Sequence, residues 1–551
     1  MAEMARMKPL ALAAVLACSP FVAPATAAAQ APREPVYAAL DPRGDLPDIQ
    51  RIPLSPRLPD LRGKRVFIIN SWENGRGGFN PINDELTKRL QARYPGVKVI
   101  VSDRNVRYSE DDPKLWERVK AEADAFIYTV APSSSTTSYA FKWSAKLEKM
   151  GLPGTVVMYD TLLSVKDTTN AREGAAVRFT AFPYPISTIP AAKRAQLVDD
   201  IIENLRRQLT AEELRKDVVP PPKRPAVAVT GTLAQVQKHF QKEGWTDGLP
   251  VIPPTEAAVA AMLKGTSHSP DEVVATAFMP ESLRVTVRHV AINAVMSGCE
   301  PSHMPVLLAA VEAAGKNNLN SMLRSTNSFA FMQVVNGPIA KEIGMNGGVN
   351  AVGPGNPANA SIGRALRMFI TNLGGGQPGV NIMAVIGNNA NYSLAFAENE
   401  AESPWTSLAE SKGFKKTDSV LTLLSGGWSH NGNYSEGMTL ADVGRDIARY
   451  QIPSGATVII SPKRAEDLKR QGLDREGAEE AIWKAAVRPA AELRRASFRD
   501  NADAQKAADG DLLQVYARGT IEVVVAGGDG APMMQAWGFY RPVTISIDKW
   551  R

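Results

Sequence analysis

The chain is 551 residues long, 44% apolar and 22% charged, with a formal net charge of +6. That length exceeds one ordinary core, and that balance excludes a disordered chain and a membrane protein, so two or three globular units are expected. The basic residues are interleaved with acids and no aromatic–basic array accompanies them, so nucleic acid is not expected as a partner.

Arg6 and Lys8 precede an apolar run from Pro9 to Val22, and small residues follow at Ala27-Ala28-Ala29 and Ala29-Gln30-Ala31. This pattern predicts an export signal over residues 1–31 and a periplasmic or secreted mature protein. Val15-Leu16-Ala17-Cys18 approximates a lipoprotein signal, which makes anchoring at Cys18 the minor alternative. No later stretch stays apolar for about 20 residues, so the mature chain is expected to have no transmembrane segment. The two cysteines are Cys18 and Cys299. Removal of the signal leaves one, which closes no internal disulfide and supplies no Cys-x-x-Cys centre.

An extended segment, residues 32–62, leads to the apolar run Lys64–Asn70, which reads as a buried parallel strand. A Gly-rich loop, Trp72–Gly78, and a helix over 81–93 follow. Strands are predicted at 97–101, 125–130 and 155–158, and helices at 113–123, 137–150 and 190–209. Alternating apolar strands and amphipathic helices predict a Rossmann-like or flavodoxin-like α/β domain over 63–217. The Pro-rich, basic stretch 218–227 is the expected linker. Beyond it, helices at 232–241, 285–297, 305–314, 362–371, 462–471 and 478–486, with strands at 456–460 and 521–526, predict a larger mixed α/β domain over 228–551. Gly-, Asn- and Pro-rich loops dominate 336–377.

Several constellations have the residue types that chemistry needs. Ser133, Ser134, Ser135, Thr136 and Thr137 stand between a predicted strand and a helix, where hydroxyls and backbone amides near the positive helix end suit a carboxylate, phosphate or developing oxyanion. Ordinary helix capping explains the same residues. Neither this loop nor Trp72–Gly78 carries a nucleotide-binding spacing. Cys299 and His303, with His289, offer either a thiolate–histidine pair or ligands for a metal; packing of Cys299 and a hydrogen-bonded His303 is the plainer reading. Asn356, Asn359 and Arg364 fall among glycines and prolines, where amides fix polar groups and a guanidinium clamps an anion. Glu398, Glu402 and His430 are candidates for moving a proton, or else capping acids and a core or surface histidine. Gly527-Gly528-Asp529-Gly530 after an apolar strand offers either a ligand loop or a tight turn.

Pro53–Leu58, the strand ending in Asn70, Asp124-Ala125-Phe126 and Glu148–Pro153 resemble the bacterial UGSC-like family, named for a selenocysteine-Gly-Ser-Cys sequence. In the second half, Gly244–Thr255, Ala291–Pro301, Gly353–Asn359, Ala397–Trp405 and Val523–Gly528 extend the resemblance over most of the mature chain. At the approximate place of the family's redox motif this chain has Pro132-Ser133-Ser134-Ser135, a variant without selenium or sulfur. Serine oxygens do not replace a polarizable thiolate, so thiol–disulfide exchange does not transfer.

The resulting expectation is a periplasmic lyase or hydrolase for a small polar or anionic molecule. Arg364 and Ser133–Thr137 would hold negative charge, His303 or His430 with Glu398 or Glu402 would move protons, and Asn356 and Asn359 would orient the substrate. No cofactor is required, a metal at His289, Cys299 and His303 is a narrower alternative, and a homo-oligomer is left open. The competing class is a solute-binding or accessory protein that closes the same loops around a ligand without catalysis.

Overall fold

The computed structural model describes residues 34–71, 80–104, 106, 108–130, 133–317, 319–426, 432–449, 455–495 and 502–551. The expected signal segment, Trp72–Gly78, Pro132 and His430 lie outside the described residues.

The first unit is built on five parallel strands: β1 (Arg65–Asn70), β2 (Lys98–Asp103), β3 (Ala125–Thr129), β4 (Gly154–Tyr159) and β5 (Phe179–Phe182), in spatial order β2-β1-β3-β4-β5. This is the flavodoxin-like order. The central strands read as uninterrupted apolar runs because helices cover both sheet faces: Phe67, Ile68, Phe126, Ile127, Val156 and Val157 are fully buried. Each such side chain contributes roughly 1.5–3 kcal/mol by leaving water. The connecting helices are α1 (Asn80–Arg93), α2 (Pro113–Glu122), α3 (Ser134–Lys149), α4 (Leu163–Glu173) and α5 (Ala191–Arg206).

Buried polar anchors lock segments onto this unit. Glu148, near the end of α3, accepts from Ser55 N–H (2.6 Å), Gly154 N–H (2.9 Å) and Arg57 Nη1 (2.8 Å). These bonds join two of the segments on which the family resemblance rests. Arg178 donates to both oxygens of Glu213, at 2.6 and 2.9 Å, and to the carbonyls of Asn204, Arg207 and Gln208. Burial opposes ionisation of Glu213, but the Arg178 fork and the Thr210 N–H override it and hold the carboxyl at about 2 against an ordinary 4.5. A depressed folded-state pKa contributes stability above the unfolded value and loses it as pH falls through the folded one. Stability measured by urea unfolding should therefore drop between about pH 4.5 and 2, and Glu213→Gln should lower stability at neutral pH and flatten that acid limb.

The second unit contains two four-stranded sheets. One orders β7 (Ala395–Ala397), β6 (Ala330–Asn336), β8 (Val420–Gly426) and β13 (Phe539–Ser546); the other orders β9 (Gly432–Tyr434), β12 (Met534–Trp537), β10 (Ala456–Ile460) and β11 (Ile521–Val525). Met332, Val334, Phe396, Leu424, Ile459, Val524 and Phe539 form an apolar cluster that joins the two. Helices α6 (Val287–Ser297), α7 (Met304–Lys316) and α8 (Pro357–Met368) share the largest core with residues of β6 and β8. The strand Val36–Leu40 pairs with Val227–Thr232, and Ala39 and Leu40 enter this core. The chain is thus a mixed α/β protein with a flavodoxin-like parallel sheet followed by a larger mixed region. Among the described residues no helix is long and apolar enough to cross a membrane.

Candidate functional site at the carboxyl edge of the parallel sheet

In the order β2-β1-β3-β4-β5 the chain leaves β1 and β3 toward opposite sides, so their carboxyl ends form the switch point at which open α/β sheets take ligands in a crevice, here the candidate crevice. Asn70 ends β1, Asp103 ends β2 and Thr129 ends β3. Asn70 Nδ2 donates to Asp103 Oδ1 at 2.7 Å, while Asn70 Oδ1 accepts from Thr129 Oγ1 at 2.8 Å and from Asn83 Nδ2 at 2.7 Å. Ser71 N–H donates to the Thr129 carbonyl at 3.0 Å. Among the described residues, Ser71 Oγ and Asn83 Oδ1 in this network, and Ser134 Oγ at the helix start that follows β3, are buried without a hydrogen-bond partner. Each such atom costs roughly 1–3 kcal/mol, so a set of them at one sheet edge marks where a polar ligand would complete the bonding.

Helix α3 starts at the same edge. Its cap Ser133 is extended and makes no side-chain cap bond; the Ser133 hydroxyl instead meets Ser135 Oγ at 3.0 Å, and the Ser133 carbonyl accepts from Thr136 Oγ1 (2.8 Å) and Thr137 Oγ1 (2.9 Å). The first turn contains no acidic residue to oppose an anion. Ser134, Ser135, Thr136 and Thr137 are all buried. A turn further on, α3 meets the second unit. Tyr139 bonds Asn320, Tyr108 Oη bonds Ser321 Oγ, and the fully buried Arg324 donates to Asn320 Oδ1 (2.9 Å) and Glu281 Oε1 (2.8 Å). Burial, reinforced by the charge of Arg172, pushes Arg324 down to about 10. Burial likewise lowers the Lys142 ammonium. At this junction the cations have carboxylate partners, Arg324 with Glu281 and Arg172 with Glu173.

The other residues expected from the sequence are dispersed. His289 sits in the first turn of α6, where Nδ1 accepts from Thr286 N–H (3.1 Å), and Cys299 lies just past the other end of that helix. At about 1.5 Å per residue the helix separates them by about 15 Å, which is too far to share an ion. Among the described residues no group of three His, Cys, Asp or Glu side chains is placed to hold a metal, so the metal alternative at His289, Cys299 and His303 is corrected. His303 is buried, its Nδ1 accepts from Glu300 N–H (3.1 Å), and burial lowers its pKa against the charge of Glu300. Burial lifts the Cys299 thiol well above its usual range, with Arg364 opposing, so at neutral pH it stays a thiol rather than the nucleophilic thiolate.

Arg364 is already clamped to Asp247 by two bonds, 2.7 and 2.9 Å, and also donates to the Pro250 carbonyl. Asn356 caps α8 by accepting from Asn359 N–H, and Asn359 bonds the backbone of Asn346 and Ala351. Glu398 is buried and accepts from Asn336 Nδ2 (2.6 Å), Leu408 N–H (2.7 Å) and Arg475 Nη2 (2.5 Å). Glu402 is exposed and accepts from Asn399 Nδ2. The structure thus joins Asn70, Ser71, Asn83 and Thr129 in one network at the ends of β1 and β3, with Ser133–Thr137 on the helix start that follows β3; the first four are residues that sequence reasoning does not single out. The available signal was Asn70-Ser71 closing an apolar strand run.

These features define a flavodoxin-like α/β unit with a network of buried polar side chains at its strand-order reversal. Residues 38–211, which contain the whole parallel sheet and the crevice, match the UGSC family. The match leaves out the second-half segments, so the resemblance is narrower than the most of the chain expected from sequence. No cysteine falls within the matched residues. No curated protein and no solved structure matches the chain.

Proposed function

We propose that this chain is an exported lyase or hydrolase acting on a small polar or anionic molecule, whose negative group docks in the crevice at the start of α3. The observation that carries this reading is the set of buried oxygens of Ser71, Asn83 and Ser134, unpartnered among the described residues, at the strand ends and helix start of this edge, where α3 has no side-chain cap bond. Fixed hydroxyls and backbone N–H groups at a helix start stabilise negative charge that grows during bond cleavage, and they need no thiol. Export rests on the basic and apolar pattern of residues 6–22. A second reading, ligand binding without chemistry, is favoured by the make-up of the crevice. Its side chains are mainly amides and hydroxyls, and Asp103 is occupied by Asn70.

Native mass spectrometry of the purified protein, followed by chromatography of the released ligand after incubation, tests both. An anionic ligand that is retained and converted supports the enzyme. Retention without conversion supports the binding protein, and neither retention nor conversion of any anionic metabolite overturns the proposal.

A further inference from the structure

His268 stands between the short turn Leu263–Gly265 and the strand Val273–Phe278, outside the family-matched residues. Its ring packs on Trp550, in the turn Asp548–Trp550 that follows β13. Both ring nitrogens face oxygen acceptors. Nδ1 lies 2.9 Å from each carboxylate oxygen of Glu272, and Nε2 lies 2.7 Å from the Lys549 carbonyl. A neutral imidazole has one N–H and serves one of these acceptors, which leaves its other nitrogen's lone pair against oxygen lone pairs; the imidazolium donates to both. The ring centroid is also 4.9 Å from that of Trp550, whose aromatic face attracts a cation. The contacts therefore select the charged ring.

What the ring holds reaches into the protein. Trp550 is buried in the largest core, and its Nε1 donates to Glu312 Oε2 of α7 at 3.0 Å. Beside the ring, Thr266 Oγ1 donates to the Trp550 carbonyl at 2.7 Å and accepts from His268 N–H at 3.3 Å. The other charged groups on the elements packed here are paired among themselves. Lys549 and Lys316 both bind Glu312, Arg551 binds Asp548 and Glu342, and Arg288 at the start of α6 binds Glu256. Glu272 is the carboxylate left to answer the charge of the ring.

We propose that His268 is a proton-operated clasp: charged, it fastens the segment 266–272 to the turn at the end of β13, and on losing its proton it lets the two part. Burial opposes the charged ring, but the Glu272 carboxylate and the Lys549 carbonyl outweigh it and raise the His268 pKa above 6.5. A raised folded-state pKa gives a contribution that is fully present below the unfolded value and is lost as pH rises through the folded one. The clasp thus tightens in mild acid and opens in mild alkali, the opposite sense to the Arg178–Glu213 anchor of the first unit.

Hydrogen exchange of the full chain tests this, read by mass spectrometry on fragments covering 263–273 and 546–551 and corrected for the intrinsic effect of pH. In the wild type both fragments should exchange about three- to fivefold more slowly at about pH 5.5 than at about pH 8. His268→Gln, which keeps a side-chain N–H but takes no charge, should exchange alike at both, and Glu272→Gln should shrink the difference. No difference in the wild type, or the full difference retained in H268Q, would overturn the clasp. Carbon-13 resonances of the histidine rings decide independently of any variant, because a His268 midpoint at or below the ordinary 6.5 also overturns it.

Discussion

Replacing Arg475 by Met is expected to destabilise the second unit by about 3–5 kcal/mol, the cost of leaving a buried carboxylate without its cation. Both members of the pair are almost wholly enclosed, with side-chain exposures of 4% for Arg475 and 0% for Glu398. Arg475 also donates to the carbonyls of Thr406 and Val523. Glu398 in turn holds Asn336 at the end of β6, so the pair ties one four-stranded sheet to the helix packed on the other. Arg475→Met combined with Glu398→Gln should cost less than the two single changes summed, because the second change removes the stranded charge. Chemical denaturation of the four proteins supplies the cycle; a cost below about 1 kcal/mol for Arg475→Met would show that the pair is not a structural hub.

Ser134→Val should weaken binding of inorganic phosphate, a probe anion for the α3 crevice, at least tenfold. Hydrogen bonds to a charged group contribute about 1.5–3 kcal/mol, and 1.4 kcal/mol is a factor of ten. The same change should leave stability equal or raise it, because it removes a buried hydroxyl that has no partner among the described residues. A hydroxyl retained for folding would give the opposite sign. Binding and thermal unfolding measured on the same variant therefore separate a ligand group from a structural one, and Ser71→Ala should repeat the pattern. Undiminished phosphate binding in both variants would remove the crevice from consideration.

The first unit was largely legible because its strands are buried on both faces and appear as apolar runs; β1 was expected at 64–70 and is found at Arg65–Asn70. Helix α4 and the strand Phe179–Phe182 carry little sequence signal, since the helix is Leu-Ser-Val-Lys-Asp-Thr-Thr in its opening turns and the strand has only four residues. In the second unit β6 and β8 are not distinguished by the sequence pattern. They are as buried as β3, but an apolar run flanked by Gly and Asn looks the same whether it crosses a core or links two loops. Asn356-Pro357 is a helix start rather than a pocket loop, because Asn caps and Pro occupies the first turn. Arg364 read as a free anion clamp because its carboxylate, Asp247, is 117 positions away. Ser133–Thr137 can be singled out from their strand–helix context, whereas Asn70 and Ser71 meet Thr129 only through sheet pairing.

The antiparallel pairing of β8 with β13 joins Thr422 to Thr544 across 122 positions. β8 lies between β6 and β13, so as the polypeptide emerges from a ribosome or a translocation channel it must wait, one side unpaired, for a partner made much later. The flavodoxin-like sheet is complete once Phe182 has appeared. The nascent chain therefore has a half that can fold early and a half with an exposed strand edge for many seconds, a natural client for a holding chaperone.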